Sequence, residues 1–424
     1  MSQLAPPICK IPPAVAMSNA VSSTFMFKDD NFKDTIIDTS QSLINMTDQS
    51  VIFIKGWIVL ITVSLKLSPM NTNVLLVALL VATAGGILQI GGASWDITSH
   101  ILRQPETFFT PSHTVLYTGI GLTIIAAIIG IFISLKNKEE IRSRSFNTAF
   151  KLLIIGAAIQ LISGPGDFMW HSVFSVDGLM SPPHLALATG ILINAIAAVV
   201  GLARILPHIQ SKRNQTLART ALIPAFAALW FSCIWYIFMF VLPLSNGQHF
   251  NFNPDPSAAV VIATIALPLV SAMIFLISAR TIGRLGAASA VAGVVISMNV
   301  LANIAPAYQS LGAFLPWQLL AIIPVTIGAD IAIHRAGPRT GMIIAGALIG
   351  ITFYIFNYPM LPMAFAELLN QPNLSIDDIL PSMYASLSQV IVMTAVPSVL
   401  AGIVGAVIGS KKIQMPQIDV AITR

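Results

Sequence analysis

Two stretches of the chain carry the same set of residues able to bind a metal ion. Asp96, His100 and His113 are followed 71 residues later by Asp167, His171 and His184, so each copy reads Asp-x3-His-x12-His. Two imidazoles and one carboxylate form a ligand set for first-row transition metals. With open positions it suits non-haem iron, and imidazole ligation also suits copper and zinc. An Asp and a His four apart on a helix share a face, their Cβ atoms about 5–6 Å apart. The second His of each copy follows proline, in Thr110-Pro111-Ser112-His113 and in Ser181-Pro182-Pro183-His184. Proline suits the first turn of a helix, and Ser or Thr suits the cap before it. That His is therefore expected to open a returning helix, and a hairpin then brings the three side chains of each copy to one point.

The correspondence reaches beyond the ligands. Gly85 pairs with Gly156, Gln89 with Gln160, Pro111 with Pro182, and Thr118-Gly119-Ile120 with Thr189-Gly190-Ile191. Gln89 and Gln160 precede each Asp by seven residues, on the same helix face two turns deeper, and are expected to support the ligands from behind. Glu106 and Asp177 keep an acidic group at one loop position. They read as solvated acids, with a supporting role at the site as the further reading. Trp95 and Trp170 read as aromatic residues of a membrane interface. A third Asp-x3-His, Asp330 to His334, lacks the later His and reads as an ordinary helix end. His208 is expected to be solvated in a basic loop. His249 and Glu367 are weaker candidates for reaching the site.

The elements that must position these residues are apolar. Of 424 residues only 9% are charged, 55% are hydrophobic, and mean hydropathy is +0.82. A soluble chain of this length needs more charge to cover its surface. Apolar runs long enough to cross a bilayer core of about 30 Å recur from residue 73 onward. The expected fold class is all-α: a polytopic integral membrane protein of about ten transmembrane helices. The spans fall near 73–96, 113–136, 146–167, 184–206, 219–243, 257–280, 283–305, 314–335, 339–358 and 381–410. Of the 17 Lys and Arg from residue 72 onward, 16 fall on one side of this arrangement and only Arg103 on the other. Under the positive-inside rule both termini are cytoplasmic and both motif turns face outward, in a plasma membrane.

The chain thus reads as five hairpins, the first two an internal repeat of parallel topology. Residues 1–71 form a polar N-terminal segment. No basic stretch followed by an apolar core occurs in its first 50 residues, so no cleavable signal peptide is expected. Within it 51–67, interrupted by Lys55 and Lys66, favours an interfacial helix over a span. Residues 72–210 form a duplicated four-helix metal-binding unit, 211–410 a six-helix membrane unit, and 411–424 a cytoplasmic tail. Cys9 and Cys233 suggest neither a disulfide framework nor a thiolate metal site.

Asp-x3-His-x12-His resembles the metal-binding motif of the C subunit of copper membrane monooxygenases, the methane and ammonia oxidisers. The resemblance covers about 20 residues per copy. It implies copper held near the membrane by Asp96, His100 and His113, and again by Asp167, His171 and His184. It also implies an oxidoreductase of monooxygenase type, with other membrane subunits as partners and a small or lipophilic substrate. On ligand type alone, iron and zinc are the alternatives to copper. A transporter or metal permease is the second reading, since ten spans and parallel repeats fit transporters. A di-haem b-type cytochrome is the third, because each copy holds two histidines 13 apart. The lipid bilayer is the evident partner, and nothing points to nucleic acid.

Overall fold

The computed structural model describes residues 72–101, 107, 109–136, 146–174, 179–241, 254, 256–304, 326–334, 339–352 and 394–410. All of them belong to the second of the chain's two units, Pro69–Arg424. The expected interfacial helix at 51–67 and the tail at 411–424 lie outside the described residues.

Among the described residues there are helices and turns and no strands. In lipid every backbone N–H and C=O must be satisfied within the segment, so an apolar run becomes a helix. The long helices are α1 Thr72–Ile101, α2 Pro111–Lys136, α3 Asn147–Phe174, α4 Pro182–Ile205, α5 Lys212–Phe238 and α6 Pro256–Ile282. These six are long and apolar enough to cross a membrane, which fits a multi-pass membrane protein. They correspond to the first six expected spans. In the last four expected spans the described residues form shorter helices: α7 Ala287–Asn299, α8 at 326–334, α9 Thr340–Thr352 and α10 Thr394–Ser410. Helix α7 ends in a π-helical turn, Val300–Ile304.

Two helix ends differ from expectation. Helix α1 runs to Ile101 and α3 to Phe174. Past the span ends expected near 96 and 167, Asp96 and His100 thus share one helix and Asp167 and His171 another, as their four-residue spacing suggested. Pro165 lies inside α3, just before Asp167, where it removes one backbone hydrogen bond.

Helices α1 and α2 pack as one hairpin and α3 and α4 as another. Helix α4 also lies against α1, and α2 against α3, while α5 covers α1 and α4. Close approach in both hairpins depends on glycine at positions 71 apart. A Cβ on Gly85 would meet the Gly119 carbonyl oxygen at 2.8 Å, and a Cβ on Gly156 would meet the Gly190 carbonyl oxygen at 2.8 Å. Small residues that let helix backbones approach are the usual device of helix association in membranes.

Where the hairpins meet, two glutamines join. Gln160 Nε2 donates to Gln89 Oε1 at 2.9 Å, and Asn194 Nδ2 donates to Gln160 Oε1 at 2.8 Å. Gln89 Nε2 donates to Thr123 Oγ1 at 2.6 Å and to the Gly119 carbonyl at 3.0 Å. All four side chains are buried. Away from water these amides must bond to one another, and doing so fixes the register of α1, α2, α3 and α4.

Asp330 is buried and far from the two motifs in sequence. Its carboxylate accepts hydrogen bonds from the Ala288 and Ser289 N–H groups, at 3.3 and 2.9 Å, and from Ser289 Oγ at 2.7 Å. It therefore caps the N-terminus of α7, where a negative charge is favoured. His334 Nδ1 sits 2.8 Å from the Asp330 carbonyl oxygen of its own helix. The Asp330 carboxylate of this third Asp-x3-His thus serves packing between helices; whether the helix ends after His334 lies outside the described residues.

Candidate metal centre

Helix α3 supplies Asp167 and His171, and α4 supplies His184 as its third residue. Asp167 Oδ1 lies 3.2 Å from His184 Nε2 and 3.6 Å from His171 Nε2, and the two Nε2 atoms are 3.3 Å apart. Around a tetrahedral ion with bonds of about 2.0–2.1 Å, neighbouring ligand atoms stand about 3.3–3.4 Å apart. The three atoms thus match one face of such a tetrahedron, and a fourth position remains for another ligand. The side chains are only 12–16% exposed, so an ion there would be shielded yet reachable.

Asp167 Oδ1 is buried and makes no hydrogen bond, although two imidazole nitrogens stand close to it. Neither ring is aligned to donate to it. A buried acceptor without a partner costs about 1–3 kcal/mol, and more if charged. A cation at the point shared by the three atoms removes that cost. The convergence of the two rings also argues against the di-haem reading. His171 and His184 lie on different helices with their Nε2 atoms in contact distance, so they cannot each serve a separate haem.

In the first copy the two expected ligands whose side chains are described come together. His113 Nε2 lies 3.1 Å from Asp96 Oδ1, nearly the spacing of His184 and Asp167. His113 Nδ1 faces the Thr107 carbonyl oxygen at 3.1 Å. With Nδ1–H donating there, the lone pair of a neutral ring lies on Nε2, toward Asp96, the arrangement usual for ligating histidines. The His113 ring stacks on Tyr117 with centroids 5.6 Å apart. Helix α1 carries His100 in its last turn. The His100 side chain, Glu106, Asp177, His249 and Glu367 lie outside the described residues.

The copies differ at one position. Ser112 Oγ donates to Asp96 Oδ1 at 2.8 Å. Seventy-one residues later the chain has Pro183, which has no hydroxyl, and the Asp167 oxygen stays without a bond. The same proline defeats an expected cap. Ser181 Oγ is buried and has no partner; Pro183 removes one of the two N–H groups, at the second and third helix positions, that a cap oxygen takes.

Asp96, His113, Asp167 and His184 line one cavity of about 110 Å³. Its other walls are mostly apolar, among them Ile97, Leu116, Leu187, Ile191, Trp235 and Met239. A water needs about 10–15 Å³ of such space, so a small organic molecule fits. Trp235 and Met239 had no marker in the sequence, since they lie in or just after an ordinary apolar helix. The Trp235 indole nitrogen is buried without a hydrogen-bond partner. Ser112, by contrast, could have been found by comparing the copies, because it is the mismatch next to the second His.

Gln89 and Gln160 do not have the supporting role expected of them. Their hydrogen bonds go to one another and to Gly119, Thr123 and Asn194, about 10 Å along the helix from the carboxylates. They hold helices together and do not orient ligand rings. Trp170 packs on Phe174 with centroids 4.5 Å apart, and His208 packs edge-on against Phe146.

No protein family, curated protein or solved structure matches the chain.

Proposed function

We propose that the chain is a membrane metalloprotein whose Asp167, His171 and His184 hold a transition-metal ion beside the apolar cavity. In this reading the site serves oxidation of a small, uncharged, lipophilic molecule. The observation that carries the metal reading is the triangle of ligand atoms, 3.2, 3.3 and 3.6 Å on its sides, with an otherwise unbonded carboxylate oxygen at one corner. The apolar walls of the cavity support a lipophilic substrate. The motif resemblance favours copper, with iron and zinc next. Positions 71 apart make matching glycine contacts, which supports 72–210 as a duplicated unit beside the later helices.

Among the described residues the only carboxylates are Asp96, Asp167 and Asp330. Two line the cavity and one caps a helix. Elemental analysis of protein purified in detergent without chelator is expected to find at least one equivalent of transition metal. No metal above background would overturn this reading and favour the transporter.

The charge bias supports an outward-facing site. A cysteine placed at Thr107 should react with an impermeant thiol reagent in intact cells, and one at Asn137 should not. The reverse labelling would refute the orientation.

A further inference from the structure

Both carboxylate–imidazole pairs open onto the same cavity, but their carboxylates are not in the same condition. Asp96 Oδ1 faces His113 Nε2 and also takes the Ser112 hydroxyl proton at 2.8 Å. Asp167 Oδ1 faces His184 Nε2 and takes none. A donor on the outer oxygen of a ligating carboxylate steadies it. Ser112 instead donates to the oxygen nearest the imidazole, the one an ion shared with His113 would use. The cause lies in the sequence, where Ser112 in one copy answers to Pro183 in the other.

We infer that Asp96 and His113 form a second metal site on the shared cavity, weaker than the Asp167 site because Ser112 competes for its carboxylate oxygen. This rests on the metal reading of the second triad. The two ions would occupy one chamber with unequal affinity, so a chain loaded at limiting metal holds one ion, at Asp167. A hydrogen bond to a charged group contributes about 1.5–3 kcal/mol, so the sites should differ by about ten- to a hundredfold in affinity.

The test is equilibrium dialysis of the full-length, chelator-stripped chain in detergent against zinc ion alone. Two equivalents are expected, in two separated steps. Asp96→Asn should remove only the weaker step and Asp167→Asn only the tighter one. Ser112→Ala should tighten the weaker step by about tenfold or more and leave the other unchanged. It also serves if Asp96→Asn fails to fold, since it removes a single hydroxyl. Two equal steps, a single step in the unmodified chain, or a weaker step that Ser112→Ala leaves alone or weakens further would each overturn the inference. A tight step abolished by Asp167→Asn, with no second step, sinks this inference and leaves the first metal site standing. No zinc binding at all sinks both.

Discussion

Asp167→Asn is expected to abolish metal binding at the second triad and, at the same time, to leave the metal-free protein no less stable. The two effects come from one atom. Asp167 Oδ1 is buried and lacks a hydrogen bond, so in the empty protein its charge is a liability. Asparagine keeps the shape and removes the charge. If the oxygen is held in readiness for a cation, the substitution should raise the thermal midpoint of chelator-stripped protein, by an amount corresponding to about 1–3 kcal/mol. Loss of a group that merely supports a ligand typically lowers metal affinity by about 10- to 100-fold, so loss of the ligand itself should exceed that. Calorimetric or dialysis titration with zinc checks the binding, and a detergent melt with and without metal checks the stability. A structural role for Asp167 makes the opposite forecast: the stripped variant melts lower and metal uptake is unchanged. His184→Ala should lose metal in the same way without the gain in stability, because it removes a ligand and leaves the unpaired oxygen in place. Sites that bind often carry such local costs, and removing them trades function for stability.

The second large effect is expected far from any ligand. Gly156→Val should lower the thermal midpoint sharply and loosen metal binding with it. A Cβ at Gly156 would meet the Asn194 side chain, and the Gly190 carbonyl oxygen at 2.8 Å. The backbone there has no room to give without separating α3 from α4. Inserting methyl groups into such contacts costs about 1–3 kcal/mol, occasionally more. Asp167 and His171 ride on α3 and His184 on α4, so moving the helices apart spreads the triangle proposed to hold an ion. Gly121→Ala is the control, since a Cβ there meets nothing within 4 Å. It should be neutral or stabilising, because alanine favours a helix over glycine by about 1 kcal/mol. If Gly156→Val melts like the parent chain, the close helix crossing is wrong.

Much of this molecule can be read from its residues in order. Long apolar runs with little charge permit little besides helices that bury their own hydrogen bonds. The six long helices accordingly appear where the runs are. The convergence of the candidate triad was legible too, because Asp167 and His171 are four apart on one helix and His184 follows a proline that starts the next. Those are local relations, set by helical repeat and by proline's fixed dihedral. Other readings were partly right. Gln89 and Gln160 look like supporters of the site when only their phase on the helix is known. That they bond to one another depends on how two hairpins cross, and no spacing within a single helix encodes a crossing. The same holds for the cavity: Trp235 reaches it only because α5 packs over α1 and α4. It holds too for the unequal copies. The letters Ser112 and Pro183 are plain in the sequence. That one hydroxyl lands on the carboxylate oxygen its neighbouring imidazole faces, while its counterpart is missing, is decided by packing, because hydrogen bonds depend on tenths of an ångström that only the assembled helices set.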